Sequence, residues 1–192
     1  MTSGGTNMTN NNAISTSTNH ASNGHEEKVL TFQLGAETYG VEILQVREII
    51  GLIDVTVLPQ TPNYVKGVIN LRGKIIPVIE LRTRFELESV DYTAETCIIV
   101  VEVESADDTE PFEIGIIVDT VSEVVAIPEA NIEAAPRFGG SVNTDFLRGM
   151  GKVDENVVIL LDLNRVLSEQ DVELLAGTAN GSNESTPNQM AA

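Results

Sequence analysis

Few side chains of this 192-residue chain have the type and spacing that catalysis requires. Its two histidines, His20 and His25, fall in an N-terminal stretch rich in Asn, Ser and Thr, which we expect to be disordered. A Ser-His-Asp or Cys-His arrangement therefore cannot form within the folded part. The single cysteine, Cys97, begins the apolar run 97–101, which favours a buried structural thiol over a nucleophile.

Two other segments resemble binding sites only in part. Residues 149–152 read Gly-Met-Gly-Lys, but Val153 stands where a phosphate loop places the Ser or Thr that binds the metal. The acidic residues at 107–110 precede Pro111, which does not fit an EF-hand loop, so a solvated hairpin tip explains them better. The spacing of the remaining carboxylates singles out no two of them for general acid–base catalysis. The sequence therefore predicts no enzyme, no cofactor and no metal site.

The remaining candidates are two isolated charges in apolar surroundings. Arg72 lies in the block 67–81, where Asn70 and the glycine after Arg72 are typical of a tight turn between two strands. Glu48 lies in the apolar segment 46–50. Both can be ordinary solvated side chains, with Arg72 at a hairpin tip. Alternatively, because a partly desolvated charge needs a partner, we hypothesise that the turn folds back and the Arg72 guanidinium reaches the Glu48 carboxylate.

Extended segments must position these charges. Runs rich in Val and Ile and bounded by Gly, Pro, Asp or Asn are typical of strands. The predicted strands, beginning with a hairpin, are 30–34, 39–41, 74–81, 96–103, 114–118, 122–127 and 157–163. One longer helix is predicted near the end, where Ser168 and Asp171 approximate a capping box. The predicted fold class is therefore mainly β with short helices.

An internal repeat organises these strands. Blocks of the first half recur 75 or 82 positions later with similar residues at the same spacing. The matched blocks are Gly40 with Gly115, 46–50 with 121–125, 64–67 with 146–149, and 75–81 with 157–163. Two similar units of about 70 residues are each near the lower limit for an independent core. We expect two small barrels that stabilise each other and leave a groove between them, a natural site for a partner.

Composition indicates where the folded part begins and ends. Residues 1–25 and 177–192 carry few large apolar side chains and are predicted to be disordered tails. The first β-barrel subdomain is expected at 26–92, and the second, with the C-terminal helix, at 93–176.

The charge of the chain excludes several classes of partner. A net charge of −18 opposes binding to nucleic acid and to anionic lipid surfaces. No apolar run approaches the roughly 18 residues that cross a bilayer, and the N-terminus lacks the pattern of a signal peptide. We therefore expect a cytoplasmic protein without direct membrane insertion.

Several short motifs carry a family resemblance. They are Phe-Gln-Leu-Gly at 32–35, Val-Arg-Glu-Ile at 46–49, the block 67–81, the segments 115–119 and 121–124, and Leu-Leu-Asp-Leu at 160–163. Through these motifs the sequence resembles the CheW family, the coupling proteins of bacterial and archaeal chemotaxis. The resemblance implies one CheW-like domain built from two five-stranded SH3-like barrels in tandem. It also implies a non-catalytic adaptor that joins the cytoplasmic tip of methyl-accepting chemoreceptors to the regulatory domain of the histidine kinase CheA, recruited to membrane receptor arrays.

The resemblance also implies a set of residues that bind the kinase or the receptor. They are Val46 and Glu48 on the first barrel, Gly67, Asn70 and Arg72 in the signature block, and Val124 and Phe138 on the second barrel. Val124 matches a receptor-linked valine, and Phe138 matches an aromatic residue of the ring contact between kinase and adaptor. The family's basic residue shortly before that aromatic is replaced by Glu133, while Arg137 directly precedes Phe138, so the charge pattern of this contact differs.

Two alternatives to this function remain open. A CheW-like scaffold can serve a non-flagellar chemosensory system, for surface motility or development. A small-molecule-binding or enzymatic β-barrel is the alternative from another class, and the lack of histidine in the folded part disfavours it.

Overall fold

The computed structural model describes residues 25–104, 110–136 and 145–167, together with Asp171 and Leu175. The described chain forms eleven strands and two short helices, so the predicted mainly β class is confirmed. The strands are β1 (Glu26–Leu34), β2 (Glu37–Glu42), β3 (Val46–Gly51), β4 (Val65–Leu71), β5 (Lys74–Glu80), β6 (Cys97–Val103), β7 (Phe112–Val118), β8 (Thr120–Pro128), β9 (Ile132–Ala134), β10 (Leu147–Val153) and β11 (Asn156–Leu161). The helices are α1 (Leu81–Arg84) and α2 (Leu163–Val166), and two 3₁₀ turns occupy Ile43–Gln45 and Glu129–Asn131.

Some sequence-based predictions fall outside this description. Apart from His25, the predicted tails at 1–25 and 177–192 lie outside the described residues. So does most of the predicted helix at 168–175, of which Asp171 and Leu175 are described.

The strands form two sheets that are equivalent by the internal repeat. The six-stranded sheet has the order β8-β1-β2-β11-β10-β9, and the five-stranded sheet has the order β3-β6-β7-β5-β4. Each sheet contains one parallel pair, in which Gly40 of β2 faces Leu160 of β11 and Gly115 of β7 faces Val78 of β5. The matched glycines therefore occupy the same place in the two sheets, and the repeat read from the sequence corresponds to a structural repeat.

The division between the sheets does not coincide with the expected boundary at residues 92 and 93. Strands β1 and β2 from the first half join β8–β11, while β6 and β7 from the second half join β3–β5. Each half of the sequence therefore contributes one hairpin to the sheet of the other half. The alternation of apolar and polar residues along a strand does not reveal this exchange, because the strand buries the same face in either sheet.

One sheet also has six strands where the resemblance implied five. Strand β9 pairs with β10 over three residues. At the equivalent place in the five-stranded sheet, only a single bridge forms, between Thr56 and Val68 of β4. This bridge brings the chain after edge strand β3 against the opposite edge strand, β4, which closes the five-stranded sheet into a barrel.

The cores explain why β6 and β7 read as continuous apolar runs. The largest core lies between the two sheets and includes Phe32, Val41, Ile99 and Val101. Each sheet also has a smaller core of its own. The core of the five-stranded sheet includes Ile98 and Val100, and that of the six-stranded sheet includes Val29 and Leu160. Alternate residues of β6 thus enter two different cores, so both faces of the strand are buried.

Candidate partner-binding site

Arg72 and Glu48 form the pair that the sequence predicted. The guanidinium donates from Nη1 to Glu48 Oε1 at 3.1 Å and from Nη2 to Oε2 at 2.8 Å, which is a bidentate arrangement. The Arg72 side chain is 77% exposed and that of Glu48 25% exposed. The pair links edge strand β3 to the β4–β5 turn within the five-stranded sheet.

The β4–β5 turn fixes the direction in which Arg72 points. The Gly73 amide donates to Asn70 Oδ1 at 2.8 Å, and Arg72 and Gly73 take positive φ values of 54° and 89°. Asn in this position stabilises a tight turn through its own side chain. Asn70 therefore acts on the site by shaping the turn that presents the guanidinium.

Breaking the Arg72–Glu48 pair is expected to cost little folding free energy. Because Arg72 is mostly exposed, the cost should be at most about 1 kcal/mol. Urea unfolding of the wild type, Arg72→Ala, Glu48→Ala and the double variant measures the coupling energy between the two side chains. A coupling energy near zero would mean that the pair does not form in solution, and a cost of several kcal/mol would make it a structural element instead.

Gly67 serves the site through the backbone. It is buried and has φ +138°, and a Cβ built on it would lie 2.0 Å from the carbonyl oxygen of Thr56. The close approach permits the two backbone hydrogen bonds between Thr56 and Val68, at 2.8 and 2.9 Å. Any side chain at this position would collide with the backbone that closes the barrel.

The predicted apolar contact residues differ in exposure. Val46 is partly buried against the main core, whereas Val124 on β8 is half-exposed. Ile49 on β3 occupies the position equivalent to Val124 in the repeat and is also half-exposed. The sequence reasoning did not single out Ile49, although its match to Val124 in the repeat is the signal that identifies it. The two equivalent strands β3 and β8 thus each present one large apolar side chain to solvent.

Phe138 and Arg137 lie outside the described residues. Glu133, the acidic residue that departs from the family pattern, lies on edge strand β9. Its carboxylate accepts a hydrogen bond from Lys152 Nζ at 2.6 Å. Glu133 is therefore paired within the chain, at an exposed edge of the six-stranded sheet.

A second arginine–carboxylate pair, which the sequence reasoning missed, joins the two sheets. Arg82 on α1 donates to Asp119 from Nε at 2.7 Å and from Nη2 at 2.6 Å. The same carboxylate accepts the Gly35 amide from the β1–β2 turn at 2.7 Å. The hydrogen bonds from Arg82 and, to a smaller extent, from Gly35 lower the pKa of the Asp119 carboxyl despite its partial burial.

Glu80, beside this pair, is a buried carboxylate with three partners. Lys66 Nζ lies 2.9 Å from it, the Tyr92 hydroxyl donates to it at 2.7 Å, and the Thr83 hydroxyl also donates. Burial raises the pKa of Glu80, but the three hydrogen bonds together outweigh burial and leave the pKa below its ordinary value. Because these polar groups are all satisfied, they stabilise the fold.

The described residues contain no group of three or more His, Cys, Asp or Glu side chains that could hold a metal ion. Burial raises the pKa of the Cys97 thiol above its ordinary value. In the same part of the chain, no helix has the length and apolar character needed to span a membrane.

Comparison with known proteins identifies the family. The model of the CheW-like domain matches residues 28–171 of this chain. The chain belongs to the CheW family. A chemotaxis protein CheW from Klebsiella aerogenes is 38% identical over 153 residues, covering 80% of this chain and 89% of the relative. One from Treponema pallidum is 32% identical over 161 residues, covering 81% and 91%.

A solved structure agrees with this assignment. The crystal structure of the scaffolding protein TtCheW from Thermoanaerobacter tengcongensis is similar to this chain with a TM-score of 0.68. The sequence identity is 34%, and the match covers 77% of this chain and 97% of the other. The predicted CheW-like fold is therefore confirmed.

Proposed function

We propose that this chain is a non-catalytic adaptor that couples methyl-accepting chemoreceptors to the regulatory domain of the histidine kinase CheA. Membership of the CheW family, whose members here are chemotaxis and scaffolding proteins by name, supports the proposal. Such an adaptor would work in the cytoplasm, at the inner ends of membrane receptor arrays.

The observation that carries the proposal is the bidentate pair between Arg72 of the signature block, which is mostly exposed, and Glu48 on β3. An exposed ion pair contributes little to folding. The turn and the carboxylate nevertheless hold the guanidinium in one direction. This favours recognition because the Arg72 side chain then loses less conformational entropy when a partner binds. Arg is also among the residues enriched in the energetic centres of interfaces.

Exposed apolar side chains lie on the strand that carries Glu48 and on its repeat equivalent. Ile49 and Val124 stand at matched positions on β3 and β8, in different sheets. Two related but non-identical surfaces permit simultaneous contact with two partners, which an adaptor requires. The partner-binding roles of Val46, Glu48, Arg72 and Val124 are proposed on this basis and on the family resemblance. That of Phe138 is proposed on the resemblance alone, whereas Gly67 and Asn70 are assigned to shaping the surface.

A binding measurement with purified components tests the proposal. The full chain should bind the CheA regulatory domain and a receptor cytoplasmic fragment, and Arg72→Ala should weaken at least one of these complexes roughly tenfold or more. Arg165→Ala is the matched control, because Arg165 is also an exposed partner of a carboxylate, Asp162. Binding of neither partner by the folded wild type would overturn the proposed function.

A further inference from the structure

The connection between α1 and β6, residues 85–96, is long and is held in one shape. Arg82 donates from Nη1 to the carbonyl of Glu88 at 2.8 Å. Further along, the Tyr92 hydroxyl donates to the buried Glu80 carboxylate at 2.7 Å. Most connections in compact domains have about 4–6 residues, and longer ordered ones usually carry a function.

This connection presents apolar side chains to solvent. Val90 is 47% exposed, and Tyr92 is 45% exposed although its hydroxyl is bound. Both line a cavity of about 340 Å³, which we call the Val90 cavity. Its other walls come from residues 33–35, 80–82 and 117–120, so that both sheets contribute to it. All of these wall segments lie within the described chain, and no gap interrupts any of them.

The lining of the Val90 cavity leaves two negative charges unbalanced. Asp91 and Glu95 line the cavity and are exposed. Within the described part of the chain neither of them forms an ion pair. The other two carboxylates of the lining, Glu80 and Asp119, are each paired with a cation. The cavity therefore combines exposed apolar surface with two free carboxylates.

The cations of this chain do not complement such a cavity. Apart from Arg137, every Lys and Arg of the chain lies within the described residues. Of these, only Lys28 and Arg84 are outside the ion pairs of the described part, and Arg84 Nε donates to the Val166 carbonyl at 2.6 Å. A second copy would also bring a net charge of −18. Charge complementarity therefore favours a different, basic protein over a second copy.

The Val90 cavity is separated from the Arg72 site by the length of a strand. Arg72 precedes β5, whereas Glu80 and Arg82 of the cavity lie at and beyond the other end of that strand. At about 3.3 Å per residue, β5 places the two regions roughly 20 Å apart. A partner in the cavity therefore leaves the Arg72 guanidinium accessible.

We propose that the Val90 cavity binds a segment of a basic protein partner in which an apolar side chain is flanked by Lys or Arg. The apolar side chain packs against Val90 and Tyr92, and the flanking cations pair with Asp91 and Glu95. Because hydrogen bonds already hold the connection, binding orders few further residues. This surface contains none of the residues on which the proposed function rests.

A peptide titration tests the chemistry of the cavity. The ¹⁵N-labelled full chain is titrated with a peptide containing Lys-Lys-Leu-Lys-Lys, and with two controls in which Gly replaces the Leu or Glu replaces every Lys. The first peptide should shift the amide signals of residues 90–96 saturably, and its affinity should fall as salt is raised. The Gly control should bind roughly fivefold more weakly or worse, and the Glu control should not bind. Equal shifts from all three peptides, or no shift at 90–96, would overturn the proposal.

Matched variants locate the binding energy. Val90→Ser and the double variant Asp91→Asn with Glu95→Gln should each weaken binding of the basic peptide, the double variant about tenfold at low salt. Val157→Ser and Glu155→Gln are the controls, because they alter a half-exposed apolar side chain and an exposed acid elsewhere. Both controls should bind like the wild type, and urea unfolding checks that all variants are folded. Equal affinity for the cavity variants and the controls would contradict the assignment.

Two further measurements separate this surface from its alternatives. In sedimentation equilibrium the wild type and Val90→Lys should have the same mass, whereas a dimer that Val90→Lys abolishes would make a second copy the occupant and overturn the proposal. Arg72→Ala should bind the basic peptide like the wild type. If the chain binds CheA and the receptor fragment but not the peptide, this inference alone fails. If it binds the peptide but neither protein, the proposed function fails and the cavity assignment stands.

Discussion

Gly67→Ala is expected to remove a large fraction of the folding stability of this chain. The new Cβ would lie 2.0 Å from Thr56 O, 2.7 Å from Thr56 C and 2.9 Å from Val57 Cα, and the neighbouring atoms are backbone that cannot rotate away. The φ of +138° adds a conformational penalty for a residue with a side chain, roughly 1–3 kcal/mol. Overpacking adds a further 1–3 kcal/mol or so. These costs together are a large fraction of the roughly 5–15 kcal/mol that stabilises a typical domain.

Urea unfolding measures this loss against a glycine with open surroundings. Gly51, at the end of β3, has no heavy atom within 4 Å of a built Cβ, so Gly51→Ala is the matched control. We expect the Gly67→Ala midpoint to fall far below that of the control, or the variant to be unfolded. Equal midpoints for the two variants would show that the chain at Thr56 moves away freely and that the barrel does not depend on the close approach.

Asp119→Ala is expected to have the second largest effect, because it leaves the Arg82 guanidinium without its carboxylate. Arg82 is 13% exposed and Asp119 27% exposed, so the pair is partly buried. Removing one member of a fully buried pair costs roughly 3–5 kcal/mol, and we expect this pair to lie near the lower end of that range. Glu133→Ala is the control, since the Glu133–Lys152 pair is exposed on both sides and should contribute at most about 1 kcal/mol. A loss for Asp119→Ala no larger than for the control would contradict the account of a partly buried pair that joins the sheets.

The same pair makes the unfolding free energy of the chain depend on pH in the acid range. In the folded state the pKa of Asp119 lies below its ordinary value, so the unfolded chain, titrating near pH 4, takes up the proton first. The stabilisation by Asp119 is therefore complete above about pH 4 and is lost as the pH falls through the folded-state pKa. In Asp119→Ala this part of the dependence of the unfolding free energy on pH should be absent. The dependence that remains reports other carboxylates such as Glu80.

The sequence predicted the elements better than their pairing. Runs of Val and Ile located most of the strands because burial on one or both faces is recorded locally, although β9 and β10 were not predicted. The repeat located Gly40 and Gly115 at equivalent parallel pairs. The exchange of hairpins between the halves is a choice between partners distant in sequence. Since β2 buries the same side chains whether it joins β11 or an earlier strand, no local pattern distinguishes the two arrangements.

The candidate site shows the same contrast. Arg72 and Glu48 were paired correctly because each is a lone charge in an apolar segment, a signal that the sequence contains. The Arg82–Asp119 pair gave no such signal, because each residue directly follows a predicted strand, 74–81 or 114–118, where a charged side chain is ordinary. Only the folded structure shows that the two meet, partly buried, where the sheets join.

Receptor-dependent activity of the kinase tests the central claim most directly. CheA autophosphorylation is measured with receptor-containing membranes and with the wild type, Arg72→Ala or Arg165→Ala. We expect the wild type and Arg165→Ala to place the kinase under receptor control, and Arg72→Ala, folded to within about 1 kcal/mol of the wild type, to lose most of that control. Kinase activity that ignores the wild-type chain, or full coupling by Arg72→Ala, would contradict the account.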